Sequence, residues 1–186
     1  DGVSYAPHGL PDVGALGADI YLFSAYKTYG PHQGIMVIRR DLGQVLPNQG
    51  HHFNGDTLYK RFTPAGPDHA QVAACAGIAD YIDGLAAHHG GGEAPPVQRA
   101  ALAHDLMRAH EVALLQPLLD YLSARNDIRL LGSRRAEARA PTVAIACHRP
   151  GEAVASDLAP HGIMAGGGDF YAVRPLAAMG IDPAHG

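Results

Sequence analysis

The sequence predicts an α/β protein, because short apolar runs typical of strands are followed by longer stretches with helical periodicity. Residues 19–24 and 34–38 are rich in β-branched and aromatic side chains and are bounded by Gly and Pro. Apolar residues then recur at helical spacing over 69–87 and again over 97–125. This mixture of strands and helices indicates the α/β class.

The last third of the chain predicts a small α+β module that follows the long helix. The predicted elements are strands over 128–131 and 142–147 and helices over 152–160 and 170–179. A stretch rich in Gly, His and Pro precedes the long helix. We therefore expect two domains, over residues 1–92 and 93–186.

Composition and charge exclude several classes of protein. Hydrophobic residues make up 47% of the chain and charged residues 17%, as in a globular protein. The formal net charge is −4, without the clustered Lys and Arg of a nucleic-acid or anionic-membrane surface. No apolar run approaches the roughly 18–20 residues of a membrane span, and no signal peptide is visible. Two cysteines fit a reducing compartment, so we expect a cytoplasmic protein.

The sequence contains 12 histidines, which raises the question of a metal site. None of them shows the spacing of a metal-binding motif, alone or with cysteine or carboxylate residues. We therefore expect no metal ligands.

Lys27 is the residue that points to chemistry. It follows the predicted strand that ends at Ser24 and precedes a Gly/Pro turn, so its amine lies at the carboxyl end of a strand. Ligands bind at that edge of open α/β sheets, and a partly desolvated lysine there can form a Schiff base with an aldehyde. The alternative is an exposed lysine in a surface turn.

Asp1 adds a second partner for such chemistry. Pyridoxal 5′-phosphate (PLP) acts as an electron sink while its pyridine nitrogen is protonated, and a nearby carboxylate keeps it so. Asp1 and Lys27 would supply the carboxylate and the amine. The alternative is that Asp1 is an ordinary turn residue.

Residues 1–34 as a whole resemble the lysine region of class V aminotransferases, and more closely their cysteine desulfurase-like branch. The segment runs Asp-Gly-Val-Ser-Tyr-Ala-Pro-His at its start and Ser-Ala-Tyr-Lys-Thr-Tyr-Gly-Pro-His-Gln-Gly at its end. The resemblance continues through 47–50, 62–71 and 167–172. It implies PLP fold type I: a large, mainly parallel-sheet domain, ending in this chain near residue 92, and a small C-terminal α+β domain.

The resemblance also implies roles for four residues. Lys27 would form the Schiff base with PLP and later move the α-proton of the substrate. Asp1 would pair with the pyridinium nitrogen, and Ser24 would bind the cofactor phosphate. Thr63 would reach the phosphate of the neighbouring subunit's cofactor, because the family builds each site across a homodimer interface.

Two further candidate cofactor-binding residues depart from the family pattern. Ser4 stands where the family usually has a longer side chain that contacts the phenolic oxygen of PLP. Tyr26 stands where desulfurases often carry His, although a phenol can also donate a hydrogen bond to a phosphate.

Cysteine usage bears on the reaction. Desulfurases need a mobile Cys on a loop of the C-terminal domain, and the matching stretch, 165–171, has none. We interpret Cys75, in a predicted helix, and Cys147, in a predicted strand, as core residues. This favours aminotransferase-like chemistry, although the sequence does not decide between transamination and β-elimination. Arg174 is interpreted as a surface or interface residue.

We therefore expect a PLP-dependent enzyme that acts on a small amino acid. The alternative is a truncated or degenerate homologue that serves as a non-catalytic dimerisation or scaffold module. A hydrolase with Ser24 as nucleophile is a weaker alternative, because no paired base is visible. The family has a large portion before the residue matching Asp1, so we expect this chain to be part of a longer protein and to be inactive alone.

Overall fold

The computed structural model describes residues 1–64 and 66–186; Ala65, within one of the segments of the resemblance, lies outside the described residues. The strands are β1 (Ile20–Ser24), β2 (Gly34–Ile38), β3 (Ile128–Leu131) and β4 (Ala144–Cys147). The α-helices are α1 (Arg40–Val45), α2 (His69–Ala74), α3 (Ala76–His88), α4 (Pro96–Ser123), α5 (Gly151–Leu158) and α6 (Val173–Ala178).

The chain divides into two compact units, Asp1–Arg108 and Ala109–Gly186. The predicted domain boundary, between residues 92 and 93, refers to the domains of the longer protein and stays a prediction.

The first unit contains the strand pair that carries Lys27. Strands β1 and β2 are antiparallel, with Ile20 opposite Ile38 and Ser24 opposite Gly34. Both strands lie within one residue of their predicted bounds. The other strand pair, β3 and β4, is also antiparallel. The mainly parallel sheet implied by the resemblance is therefore not formed among the described strands and remains an expectation for the longer protein.

Strand β1 was expected to be buried, and only one of its faces is. Tyr21 and Phe23 are buried with Ala6, against Leu10 and Ile35. Ile20 and Leu22, which alternate with them, are exposed, because within the described residues the core covers a single face of the pair.

The predicted helices are present with different ends. The helix expected over 69–87 is interrupted at Cys75, which separates α2 from α3. The last helix begins at Val173 instead of Phe170. Phe170 and Tyr171 have positive φ, which is incompatible with a right-handed helix.

The segment over 47–67, expected to be an extended excursion, contains short 3₁₀ turns and is closed by Arg61. Its guanidinium donates hydrogen bonds to the carbonyl oxygens of Gln44, at 2.9 Å, and Leu46. Its own carbonyl accepts from the backbone N–H groups of Gln49 and Gly50, both at 2.7 Å. We call this set of contacts the Arg61 clamp.

In the second unit the core lies between α4 and the β3–β4 pair. Leu115, Leu119 and Ala136 are buried together. In the described part of the chain, no helix is long and apolar enough to cross a membrane.

Candidate functional site

Lys27 lies on a short turn whose residues alternate between buried and exposed. The 3₁₀ turn Ala25–Lys27 follows β1 directly. Ala25 is 0% exposed and Thr28 is 1% exposed, whereas Tyr26 and Lys27 face outwards. The N–H of Ala25 donates to the carbonyl of Gln33 at 2.8 Å, and the Thr28 hydroxyl donates to the carbonyl of Ser24 at 3.2 Å. The turn is thus fixed by its buried residues, which leave the amine exposed.

The next two residues attach this turn to α3. Tyr29 adopts a left-handed conformation with φ of 64°, and its ring centroid lies 4.4 Å from that of Tyr81. A Cβ atom placed on Gly30 would lie 2.8 Å from Cδ1 of Ile78, so only glycine fits there without a shift. Helix α3 therefore packs against the turn through Tyr81 and Ile78.

Asp1 is held beside the strand that leads to Lys27. The N–H of Gly2 donates to the carbonyl of Leu22 in β1 at 2.6 Å. A Cβ atom on Gly2 would overlap the ring of Tyr21, so the backbone passes directly over that ring. The Asp1 carboxylate accepts a hydrogen bond from the N–H of Val3 at 2.8 Å and is exposed. The structure thus attaches the candidate carboxylate to the same strand as the candidate amine.

Tyr21 lies beneath this attachment. Its hydroxyl is buried and has no hydrogen-bond partner among the described residues. Burial, with a smaller contribution from Tyr5, raises the pKa of Tyr21 above its ordinary value. The phenol therefore stays neutral and supports Gly2 through its ring.

Among the other predicted residues, Ser24 directly precedes the lysine turn, whereas Ser4 and Thr63 lie in other loop segments. Ser24 is half-buried at the end of β1, and Ser4 is exposed in a turn. Thr63 follows the Arg61 clamp, and its hydroxyl donates to the carbonyl of Tyr59 at 2.7 Å. In the described residues no hydrogen bond joins Thr63 or Ser4 to Lys27. Ser24, Tyr26 and Lys27 lie together where β1 ends, and Asp1 is linked to the same strand through the hydrogen bond of Gly2 with Leu22.

Sequence reasoning missed an aromatic stack beside Lys27. The ring of Tyr26 stacks on the imidazole of His32, with centroids 4.6 Å apart and planes 9° from parallel. The Lys27 Nζ lies 5.7 Å from the centroid of the same Tyr26 ring. The turn folds these three residues together, and no short motif signals such a contact. Gly2, directly after Asp1, was a signal that could have been used, since glycine often marks a close approach of the backbone.

Neither cysteine belongs to the predicted loop, 165–171, although Cys147 lines the same cavity as Ala165 and Gly166 of that loop. Cys75 is half-buried where α2 ends, and Cys147 is half-buried in β4. Burial raises the pKa of the Cys147 thiol, with a smaller contribution from Asp127, so the thiolate is disfavoured. Among residues 1–64 and 66–186, no group of three His, Cys, Asp or Glu side chains is placed to hold a metal ion.

The groups around β1 fit the chemical groups of PLP. Lys27 offers an exposed primary amine to an aldehyde. Asp1 offers an exposed carboxylate to a pyridine nitrogen, and Ser24 and Tyr26 offer hydroxyl donors to a phosphate. Lys27 and Asp1 are both attached to β1. Lys27 lies on the turn that follows Ser24, and Asp1 precedes Gly2, which is hydrogen-bonded to Leu22.

Fold and site together define a mixed α/β protein with an exposed lysine in the turn directly after a strand. The family described as aminotransferase class-V matches residues 1–84. An aminotransferase-like protein, FGM3, from Gibberella zeae is 34% identical over 77% of this chain and 33% of its own length. A protein named probable cysteine desulfurase 1 from Mycobacterium leprae is 30% identical over 98% of this chain and 29% of its own length. A cysteine desulfurase-like protein, ustD, from Aspergillus flavus is 26% identical over 74% and 28%.

These matches confirm the resemblance seen in residues 1–34. The chain belongs to the class V aminotransferase, cysteine desulfurase-like family, which implies PLP fold type I. It spans about a third of the length of these curated relatives.

Proposed function

We propose that the longer protein containing this chain is a PLP-dependent enzyme that acts on a small amino acid, with Lys27 as the residue that binds the cofactor covalently. One observation carries the proposal. The strand that leads to the exposed Lys27 is hydrogen-bonded, at Leu22, to the residue directly after Asp1. Amine and carboxylate are therefore attached to one strand, within the segment that matches the family.

Each candidate residue has a defined task in this proposal. The Lys27 amine would hold the cofactor covalently by condensing with its aldehyde, with loss of water, and, when free, would take the proton from the substrate α-carbon. The Asp1 carboxylate keeps the proton on the pyridine nitrogen. When bound, PLP supplies an electron sink for the negative charge that develops at that carbon.

The hydroxyl groups would orient the cofactor. Ser24 and Tyr26 donate hydrogen bonds to its phosphate, and Thr63 does so for the cofactor of the partner subunit in a homodimer. Ser4 would face the phenolic oxygen, although its side chain is short for that contact. The Lys27 amine is exposed in this chain, so we propose that the remainder of the protein or the partner subunit excludes water from the site.

The cysteines support aminotransferase-like chemistry over persulfide formation. Residues 165–171 contain no Cys, and burial raises the pKa of Cys147. Product analysis of the longer protein with cysteine and with alanine tests this preference. We expect amino-group transfer from one of them to an oxo acid; alanine formed from cysteine, with persulfide on the protein, would overturn it.

The cofactor assignment is tested with the longer protein, added PLP and the variant Lys27→Ala. The chain has only two lysines, so Lys60→Ala is the matched control within this segment. We expect a visible absorbance band that borohydride abolishes in the wild type and in Lys60→Ala, and no such band in Lys27→Ala. A folded dimer that never shows the band would favour the non-catalytic scaffold. Dimer formation and a cytoplasmic location remain proposals.

A further inference from the structure

The amine of Lys27 has a specific neighbour. Its Nζ lies 5.7 Å from the centroid of the Tyr26 ring, within the roughly 6 Å at which an ammonium is attracted to an aromatic face. A lysine in a surface turn ordinarily samples many rotamers, and holding it in one geometry costs conformational entropy. If the aromatic ring is already held in one orientation, forming the contact between the lysine and the ring costs less conformational entropy.

His32 fixes the ring. The imidazole and the phenol are stacked within 9° of parallel, with centroids 4.6 Å apart. The backbone segment that joins them is closed by the hydrogen bond from the Ala25 N–H to the Gln33 carbonyl, at 2.8 Å, and contains the buried Thr28. Tyr26 therefore presents an oriented face to the amine.

A second Tyr–Lys pair in the chain shows what the stack adds. Lys60 Nζ lies 5.8 Å from the centroid of the Tyr59 ring, at the end of another 3₁₀ turn. Tyr59 is 72% exposed, compared with 47% for Tyr26, and no ring stacks on it among the described residues. The two pairs share the local geometry, and only the pair beside the candidate site has a supported ring.

We propose that the face of Tyr26, held by His32, is the resting place of the free Lys27 amine. Tyr26 is then a positioning residue for the lysine, in addition to its proposed contact with phosphate. The ring face, and not the hydroxyl, carries this task. The catalytic role of this contact rests on the proposed function, in which the Lys27 amine is free whenever it is not bonded to the cofactor. The contact itself exists without cofactor.

The test is an NMR measurement on the cofactor-free longer protein. Its lysines are methylated with ¹³C-formaldehyde and a borane reductant, and Lys27→Arg and Lys60→Arg assign the two methyl signals. Methyl groups over a ring face are shifted upfield by the ring current. We expect the Lys27 signal to be upfield in the wild type and in Tyr26→Phe, which keeps the ring. It should return to the position of free dimethyl-lysine in Tyr26→Leu.

His32→Ala tests the support, and we expect it to reduce the Lys27 shift while the Lys60 signal stays unchanged. Tyr59→Leu should move only the Lys60 signal, whose shift in the wild type should be the smaller of the two. An unshifted Lys27 signal in the wild type, or an upfield signal that survives in Tyr26→Leu, would overturn the inference.

Borohydride trapping of PLP on Lys27 separates this inference from the proposed function. An upfield Lys27 signal without any trapped adduct would mean that the contact exists and the proposed function is wrong. Trapping on Lys27 together with an unshifted methyl signal would leave the proposed function in place and reject the role of Tyr26. Since Tyr26 and His32 are exposed, the variants are expected to fold.

Discussion

Gly2 is the residue on which the position of Asp1 depends. Its N–H is bonded to β1 and its backbone passes over the ring of the buried Tyr21. Its carbonyl accepts hydrogen bonds from the N–H groups of Tyr5 and Ala6, at 3.0 and 2.8 Å. A side chain at this position would separate the loop from the strand, and the carboxylate would move with the loop.

Gly2→Ala is expected to lower the free energy of unfolding by about 1–3 kcal/mol, the usual cost of overpacking, and to weaken the borohydride-sensitive PLP band. Gly34→Ala is the control, because a Cβ atom there meets nothing within 4 Å. Urea denaturation and absorbance spectra of the longer protein measure both effects. Equal stability of the two variants would show that the loop can leave the ring without cost.

Tyr21→Phe tests the buried hydroxyl through pH. Burial raises the pKa of Tyr21 above 10.0, so the folded protein holds this proton more tightly than the unfolded chain. The resulting stabilisation is complete below about pH 10 and is lost as the pH rises through the folded pKa. We expect the wild type to lose more stability than Tyr21→Phe between pH 9 and pH 11 (approximate limits set by the ordinary tyrosine pKa).

The control for that experiment is Tyr59→Phe, because Tyr59 is exposed. It should retain the full alkaline loss seen in the wild type. At neutral pH, Tyr21→Phe should be as stable as the wild type or more so, since it removes an unpaired buried hydroxyl. An alkaline loss of the same size in both variants would contradict the assignment.

Among the elements, α4 carries a proline in its interior. Pro117 has no backbone N–H, so it cannot donate the hydrogen bond to the carbonyl four residues earlier that a helix interior normally has. Its side chain is exposed. The helix forms because Leu115 and Leu119, on either side, are buried with Ala136. Tertiary packing therefore outweighs the local preference at this position.

Pro117→Ala is expected to raise the free energy of unfolding by up to about 2 kcal/mol. The restored hydrogen bond and the relieved clash, about 3 kcal/mol, exceed the added entropy of the unfolded chain, up to about 1 kcal/mol. Pro96→Ala should give no such gain, because the first residue of a helix needs no intrahelical N–H bond. Thermal and urea denaturation of both variants measures the difference. A Pro117→Ala variant no more stable than the wild type would indicate that the core requires the bend.

The elements show how far sequence reasoning reaches. Strands β1 and β2 were predicted within one residue, because apolar β-branched runs between glycines and prolines leave few alternatives. The break at Cys75 was not predictable, since the helical periodicity continues through it. The late start of α6 depends on the backbone conformation of Phe170 and Tyr171, which residue type does not indicate.

The same limit applies to the site. The order of residues along the chain predicted Lys27 just after a strand, and the chemistry of the cofactor singled out Asp1 as a carboxylate partner. The hydrogen bond from Gly2 to Leu22 and the stack of Tyr26 on His32 join residues that are distant in sequence or lack a motif. Such contacts form only when the chain has folded. The sequence therefore indicated the amine and the carboxylate but not the contacts that hold them in position.

At the scale of the whole molecule, the chain consists of two compact units and covers about a third of its relatives. Residues 1–186 offer PLP an amine, a carboxylate and hydroxyl groups. We propose that the rest of the longer protein supplies the remaining contacts to the cofactor, so that a complete site needs more chain than these two units.

We expect residues 1–186, expressed alone with added PLP, to give no turnover of alanine or cysteine, whereas the longer protein turns over one of them. Circular dichroism establishes that the short chain is folded, and assays for oxo-acid and alanine products measure turnover. Full turnover by the 186-residue chain would show that these residues form a complete site.

The Arg61 clamp has a consequence for limited proteolysis. Exposed residues between the two ends of the clamped segment, such as His51 and Phe53, offer a protease access. A cut there would leave Gln44 and Leu46 hydrogen-bonded to Arg61 across the nick. The two fragments should therefore remain associated under native conditions and separate only in denaturant, so a nicked preparation would pass as intact on a sizing column.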